Sequence, residues 1–326
     1  MKTLGSHVSR LAANGAVVIG IVYALMLLAY AANVSSLTVY SFNNIINAAT
    51  PLALAAAGQT LIVLIGGFDL SVAGVVSITN VVLALFPMEG PMGALASLLI
   101  AVLIGVSVGA VNGLLVAYLK IQAIAATLGT MIVCQGIALL LLDAPGGWVA
   151  EWIVYELTGL VWGFVPVGTF ILLAAILAWI VLKRTRFGTY LYAVGQDANA
   201  AALSGIDTRL VKFKAFCVAG AFYGAAGFML SAQTSTGDPN AGEPILLLSF
   251  AAVAIGGTAF GGGRGGAVGS IIGALVLTLM QRMLFALGVS SFYTGLFQAL
   301  VMVIAVIFAA VLHRLAMRNL EAGNVQ

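Results

Sequence analysis

Long apolar runs follow one another along this chain, separated by short polar breaks, until a basic island interrupts them at 183–214. Runs of roughly twenty apolar residues match the thickness of a bilayer's hydrocarbon core. In lipid every backbone amide must find its partner within the segment, so each run predicts a helix. Charge breaks divide the runs at 13–33, 43–66, 70–87, 93–119, 121–142, 163–182, 213–233, 245–262, 265–288 and 293–313, giving about ten spans. A transmembrane barrel is excluded, because its strands would alternate apolar and polar residues.

Two places break the helical pattern. One is Ile65-Gly66-Gly67-Phe68-Asp69-Leu70-Ser71; the other runs from Ile255-Gly256-Gly257-Thr258 to Gly262-Gly263-Arg264-Gly265-Gly266. Both are Ile-Gly-Gly turns reached from an apolar helix, a weak sign of a duplicated half. Asp69 is the lone acid in the first seventy residues. An ionisable group beside a span marks a pathway or gating site. The structural alternative is a cap on the free amides of the third span. Gly105, Gly109 and Gly113 are spaced by four, as are Gly220 and Gly224, and Gly269 and Gly273. Small residues at that spacing predict close helix packing.

Charge adds sidedness. Of thirteen Lys and Arg residues, six lie in the island: Lys183, Arg184, Arg186, Arg209, Lys212 and Lys214. Lys120, Arg264, Arg314 and Arg318 fall on the same side of the alternating topology. The opposite connections hold Glu89, Asp143, Glu151, Glu156, Asp238 and Glu243, with Trp148, Trp152, Tyr155 and Trp162 as an interfacial belt. The positive-inside rule then predicts both termini in the cytoplasm. Arg282 is the exception, inside the ninth span, where it must face protein or water. Lys2 and Arg10 precede the first apolar run, and Ala29-Tyr30-Ala31 has the form of a cleavage site. An uncleaved first span agrees better with both ends lying on the basic side.

Composition narrows the function classes. Hydrophobic residues make up 62% and charged residues 7% of 326, far below the charge of a soluble domain. No basic tract is dense enough for nucleic acid. Cys134 and Cys217 lie inside spans as small packing residues, and His7 and His313 sit near the ends. There is no Gly-x-x-x-x-Gly-Lys-[Ser/Thr] loop, no His-Glu-x-x-His and no Cys-x-x-Cys. No catalytic constellation, cofactor site or metal site is expected. A secondary carrier would need buried coupling charges, and only Asp69 and Arg282 qualify. The expected molecule is one all-α transmembrane domain over 1–326 that forms a path powered from outside the chain, with broken helices and a cytoplasmic loop over about 183–212.

Several segments carry a family resemblance from about 43 to 312. They are Gly66 to Val72, Asn112-Gly113, Ala126-Thr127-Leu128-Gly129-Thr130, Thr185-Arg186-Phe187-Gly188, Ala200 to Ile206, Ile255 to Thr258, and Gly262 to Gly265. In this order they resemble the permease subunits of bacterial ABC importers for monosaccharides. Those form the ribose-type group of a class that also holds branched-chain amino-acid permeases. The resemblance implies an inner-membrane protein that pairs with a second permease copy, identical or related. It also implies an ATP-binding ABC subunit that hydrolyses the nucleotide, and a periplasmic sugar-binding protein that delivers cargo. A coupling helix that docks on the ATPase maps to about Ala198 to Ser204, with Asn199, Ala200, Ala202, Leu203, Ser204 and the terminating Gly205. Asp69, Ser71, Asn112, Thr127 and Arg264 become translocation or gating candidates. The chain departs from the pattern at Ala73, at Gln122 and Ala123, and at Leu246 to Leu248. Those departures leave open which sugar passes and whether the second permease copy is identical or related. The alternative cargo is a branched-chain amino acid or another small polar solute, since neutral polar residues such as Asn80, Asn112, Thr127 and Gln135 would serve either.

Overall fold

The computed structural model describes residues 15–33 and 38–290, with Tyr293, Gly295, Leu296 and Leu300 besides. The expected tenth span and the terminal residues Lys2, His7, Arg10, His313, Arg314 and Arg318 lie outside that description. Nine apolar helices occupy the other expected spans: α1 (Gly15–Asn33), α2 (Val39–Leu64), α3 (Ser71–Leu85), α4 (Gly90–Gly113), α5 (Ala123–Leu141), α7 (Val167–Arg184), α10 (Thr208–Thr234), α11 (Glu243–Ile255) and α12 (Ala267–Ala286). α4 continues through a widened turn, Leu114–Tyr118. Three short helices were not among the expected spans: α6 (Glu151–Thr158), α8 (Arg186–Gln196) and α9 (Ala198–Leu203). A two-residue hairpin pairs Leu160–Val161 (β1) with Val165–Pro166 (β2).

α2 and α10 form the middle of the bundle. α2 is almost wholly buried, yet it is the least apolar of the six helices long enough to cross a bilayer. Asn43, Asn47, Thr50, Gln59 and Thr60 all point inward from it. That inversion is expected in lipid, where burying carbon gains nothing over facing acyl chains and internal hydrogen bonds hold helices together. Thr60 donates to Ser270 on α12 at 2.7 Å, for example. α4, α5 and α7 show most of their surface outward, as lipid-facing helices do.

The glycine repeats do what their spacing predicts. A methyl group on Gly105 would overlap the Gly220 carbonyl, and one on Gly220 would overlap the Gly105 carbonyl. Gly109 lies against Phe216 and Gly224 against Ala101 in the same way, so α4 and α10 meet backbone to backbone. Gly269 and Gly273 bring α12 onto α11 at Gly256 and Ala252.

At the acidic end, connections distant in sequence tie together. Gly146 and Gly237 pair as a β-bridge, and the Trp148 and Val149 amides donate to Ala84 and Ser235 carbonyls. α6 is capped from outside itself at both ends. Glu89 accepts from the amides of Glu151 (2.9 Å) and Trp152 (3.2 Å), while Asn43 and Asn47 donate to the Thr158 carbonyl at 2.9 and 2.7 Å. A carboxylate at the N-terminus and donors at the C-terminus also suit the helix dipole. Trp148, Tyr155 and Trp162 project into the surroundings, as the expected belt requires, whereas Trp152 packs against the core.

Candidate functional site

The basic end is built around α8 and α9, which read from sequence only as a polar loop with one short helix. Asp197 ends α8 and caps α9, its Oδ1 accepting from Asn199 and Ala200 amides at 2.8 and 3.0 Å. Asp207 repeats the device on α10, accepting from Arg209 and Leu210. α9 closes with Gly205 at φ +82°; Gly205 donates to Ala202 and Ile206 to Ala201, which satisfies its last carbonyls. Ala201 faces inward onto Val194 and Val211. Asn199, Ala200, Ala202, Ser204 and Gly205 are exposed, and Leu203 stands 91% exposed at the helix end. A six-residue helix has little stability of its own. One aspartate cap, a glycine stop and one buried alanine hold this one in place with an apolar side chain outward, and Asp207 starts the next helix just beyond it.

Behind this helix the two Ile-Gly-Gly breaks meet. Gly263 N–H donates to the Leu64 carbonyl at 2.8 Å, and Phe68 stacks on Phe260 with centroids 5.9 Å apart. Both turns end their helices with the same pair of backbone bonds, but one residue out of step. In the first, Gly66 takes the left-handed conformation (φ +72°); in the second it is Gly257 (φ +80°). Gly256 is spent instead on the close approach to Gly269 and Ser270. The matching tripeptides are therefore not equivalent positions, although the turns they make are alike.

Four of the five gating candidates come together. Asp69, Ser71, Asn112 and Thr127 are all buried. Asp69 Oδ1 accepts from Ser71 N at 2.9 Å and Ser71 Oγ at 2.6 Å. Asn112 Nδ2 donates to Ser71 Oγ at 2.9 Å, and its Oδ1 accepts from Thr130 at 2.8 Å. Thr127 Oγ1 accepts from the Leu70 amide at 3.1 Å. The network fastens the start of α3 to α4 and α5. Asp69 thus takes up a single amide at the helix start, that of Ser71, while its other oxygen, Oδ2, has no hydrogen-bond partner. Tyr223 donates to Gln59 at 2.8 Å beside that carboxylate. Arg264 does not join the group; its side chain is exposed in the second break, where its carbonyl accepts from Ala259.

Neutral polar residues separate by surroundings. Asn80 is buried and bonds Ser231, Thr236 and Asp238 at the acidic end. Gln135 lies instead on the open face of α5, donating to Glu243 at 2.8 Å and Asn240 at 3.2 Å. Nothing in the local sequence distinguishes the two; only the packing does. The same holds for Tyr192 on α8, whose hydroxyl donates to Gly265 at 2.7 Å and whose ring lies under Lys183. Burial raises its phenol above the ordinary value, in keeping with the donor role it already has as a neutral hydroxyl.

A model of the family described as branched-chain amino acid transport system / permease component matches residues 41–306. The chain belongs to that permease family. The ribose import permease of Haemophilus influenzae is 34% identical over 271 residues, covering 81% of this chain and 83% of the relative. The D-allose transport system permease of Escherichia coli K12 is 31% identical over 260 residues, covering 79% and 78%. The galactose/methyl galactoside import permease of H. influenzae is 28% identical over 289 residues, covering 83% and 86%. No solved structure matches. The family resemblance read from the motifs is borne out, and the chain is a polytopic transport permease.

Proposed function

We propose that this chain is the membrane-spanning subunit of an ATP-driven ABC importer for a monosaccharide. The observation that carries this reading is the combination of relatives named for ribose, allose and galactose import with a capped, outward-facing helix at the basic end. The basic end faces the cytoplasm with both termini, by the positive-inside rule. There α9 docks on an ATP-binding partner through Asn199, Ala200, Ala202, Leu203 and Ser204, with Gly205 fixing its end. A periplasmic binding protein delivers sugar at the acidic end, and two permease copies enclose the path.

The mechanism is alternating access. Nucleotide binding favours one arrangement of the ATP-binding pair, and the permease follows because that pair, docked on α9, has unequal affinity for its two states. The second cargo reading, a branched-chain amino acid, rests on the family's description alone. Reconstitution tests both points. The chain in liposomes should accumulate no solute by itself. With ATPase, binding protein and ATP it should concentrate a labelled pentose or hexose and not leucine. Uphill uptake driven by a sodium or proton gradient, with no nucleotide-hydrolysing subunit, would refute the importer reading.

A further inference from the structure

We propose that Gly195 and Tyr192 form a rigid joint through which the coupling segment moves both helix breaks together. This rests on the importer reading above and names positioning residues for it, outside the docking helix itself.

The two breaks share one backbone bond, from Gly263 N–H to the Leu64 carbonyl. Gly195 sits directly on that bond. A Cβ there would overlap the Leu64 oxygen and come within 2.6 Å of Gly263 N. The contact is reciprocal. A Cβ on Gly262 would lie 2.6 Å from the Gly195 carbonyl, and one on Gly263 would lie 2.9 Å from Gln196 N. One turn back along α8, Tyr192 adds its bond to Gly265. So α8 touches the second break at Gly262, Gly263 and Gly265, and at Leu64 the last residue of α2, which leads directly into the first.

Backbone-to-backbone contact matters because it cannot relax by changing a rotamer, and packed interiors hardly compress. α8 is in turn continuous with α9. Asp197 donates its amide to Ala193 at 3.2 Å and caps α9 with its carboxylate, and Val194 packs on Ala201. A displacement of α9 therefore reaches both breaks without a flexible link. Beyond the breaks the load divides. The first continues into the Asp69–Ser71–Asn112–Thr130 network on α3, α4 and α5, and the second into α12.

The test uses the whole importer in liposomes and measures solute imported per ATP hydrolysed. Tyr192→Phe removes one hydrogen bond and no volume; it should lower that ratio by roughly threefold, the scale of one neutral bond. Gly195→Ala should lower it by roughly tenfold or more, because the joint must open. In both, assembly with the ATPase and its turnover should persist, which a general folding defect would not allow. A Gly195→Ala chain that fails to insert leaves Tyr192→Phe to decide. The parental ratio in every variant that inserts would overturn the joint. A parent that never assembles with an ATPase sinks the importer reading and the joint with it; an active parent with unaltered variants sinks the joint alone.

Discussion

Replacing Leu203 by alanine isolates the docking surface from everything else in the chain. The side chain is 91% exposed, so its removal takes away almost no internal contact. The helix survives, since alanine is the strongest helix former and the Asp197 and Gly205 stops are untouched. Burying a whole leucine side chain in a partner's groove is worth about 1.5–3 kcal/mol. Truncation to alanine then forfeits about 2 kcal/mol, or roughly thirtyfold in dissociation constant. The assay titrates detergent-solubilised permease with the ATP-binding subunit, with thermal unfolding of the permease alone as control. Thirtyfold weaker association with an unchanged unfolding midpoint is expected. Leu203→Glu should weaken it further, because a carboxylate would be stranded in an apolar groove. Association within twofold of the parent in both variants would refute α9 as the docking element.

Gly220→Val drives a branched side chain into the Gly105 carbonyl and should destabilise the fold by about 1–3 kcal/mol, read from mild-detergent to SDS unfolding. No change would mean that α4 and α10 are not in backbone contact. Asn112→Ala breaks the bonds to Ser71 and Thr130; at about 0.6 kcal/mol each in a membrane interior, a loss of roughly 1–2 kcal/mol is expected in the same assay. Glu89→Ala removes both acceptors at the start of α6, so hydrogen exchange at the Glu151 and Trp152 amides should quicken by about tenfold while the spans stay protected. Equal exchange in parent and variant would show that Glu89 does not hold the helix.

The apolar runs and charge breaks were enough to locate the nine described helices among the expected spans, because a bilayer imposes length and hydropathy on each helix separately. The extent of α9 came instead from the family resemblance, and the structure ends it at Leu203, one residue short of the expected Ser204, with Gly205 in the left-handed turn. Helix α6 escaped notice since its N-terminus depends on Glu89 and its C-terminus on Asn43 and Asn47, far away in the chain.

The candidate site divides along the same line. Asp69 and Asn112 could be singled out as polar residues in apolar stretches, but their bonding through Ser71 is a matter of which helices adjoin. The Ile-Gly-Gly turns look equivalent in sequence, yet the left-handed residue is the first glycine in one and the second in the other. Gly195, a lone glycine in a polar segment, carried no signal at all. Local physics (apolar length, caps, charge bias) belongs to short stretches and is written in them. Which backbones touch is settled by helices packing across long sequence separations, so the meeting of Gly195, Leu64 and Gly263 exists only in the tertiary structure.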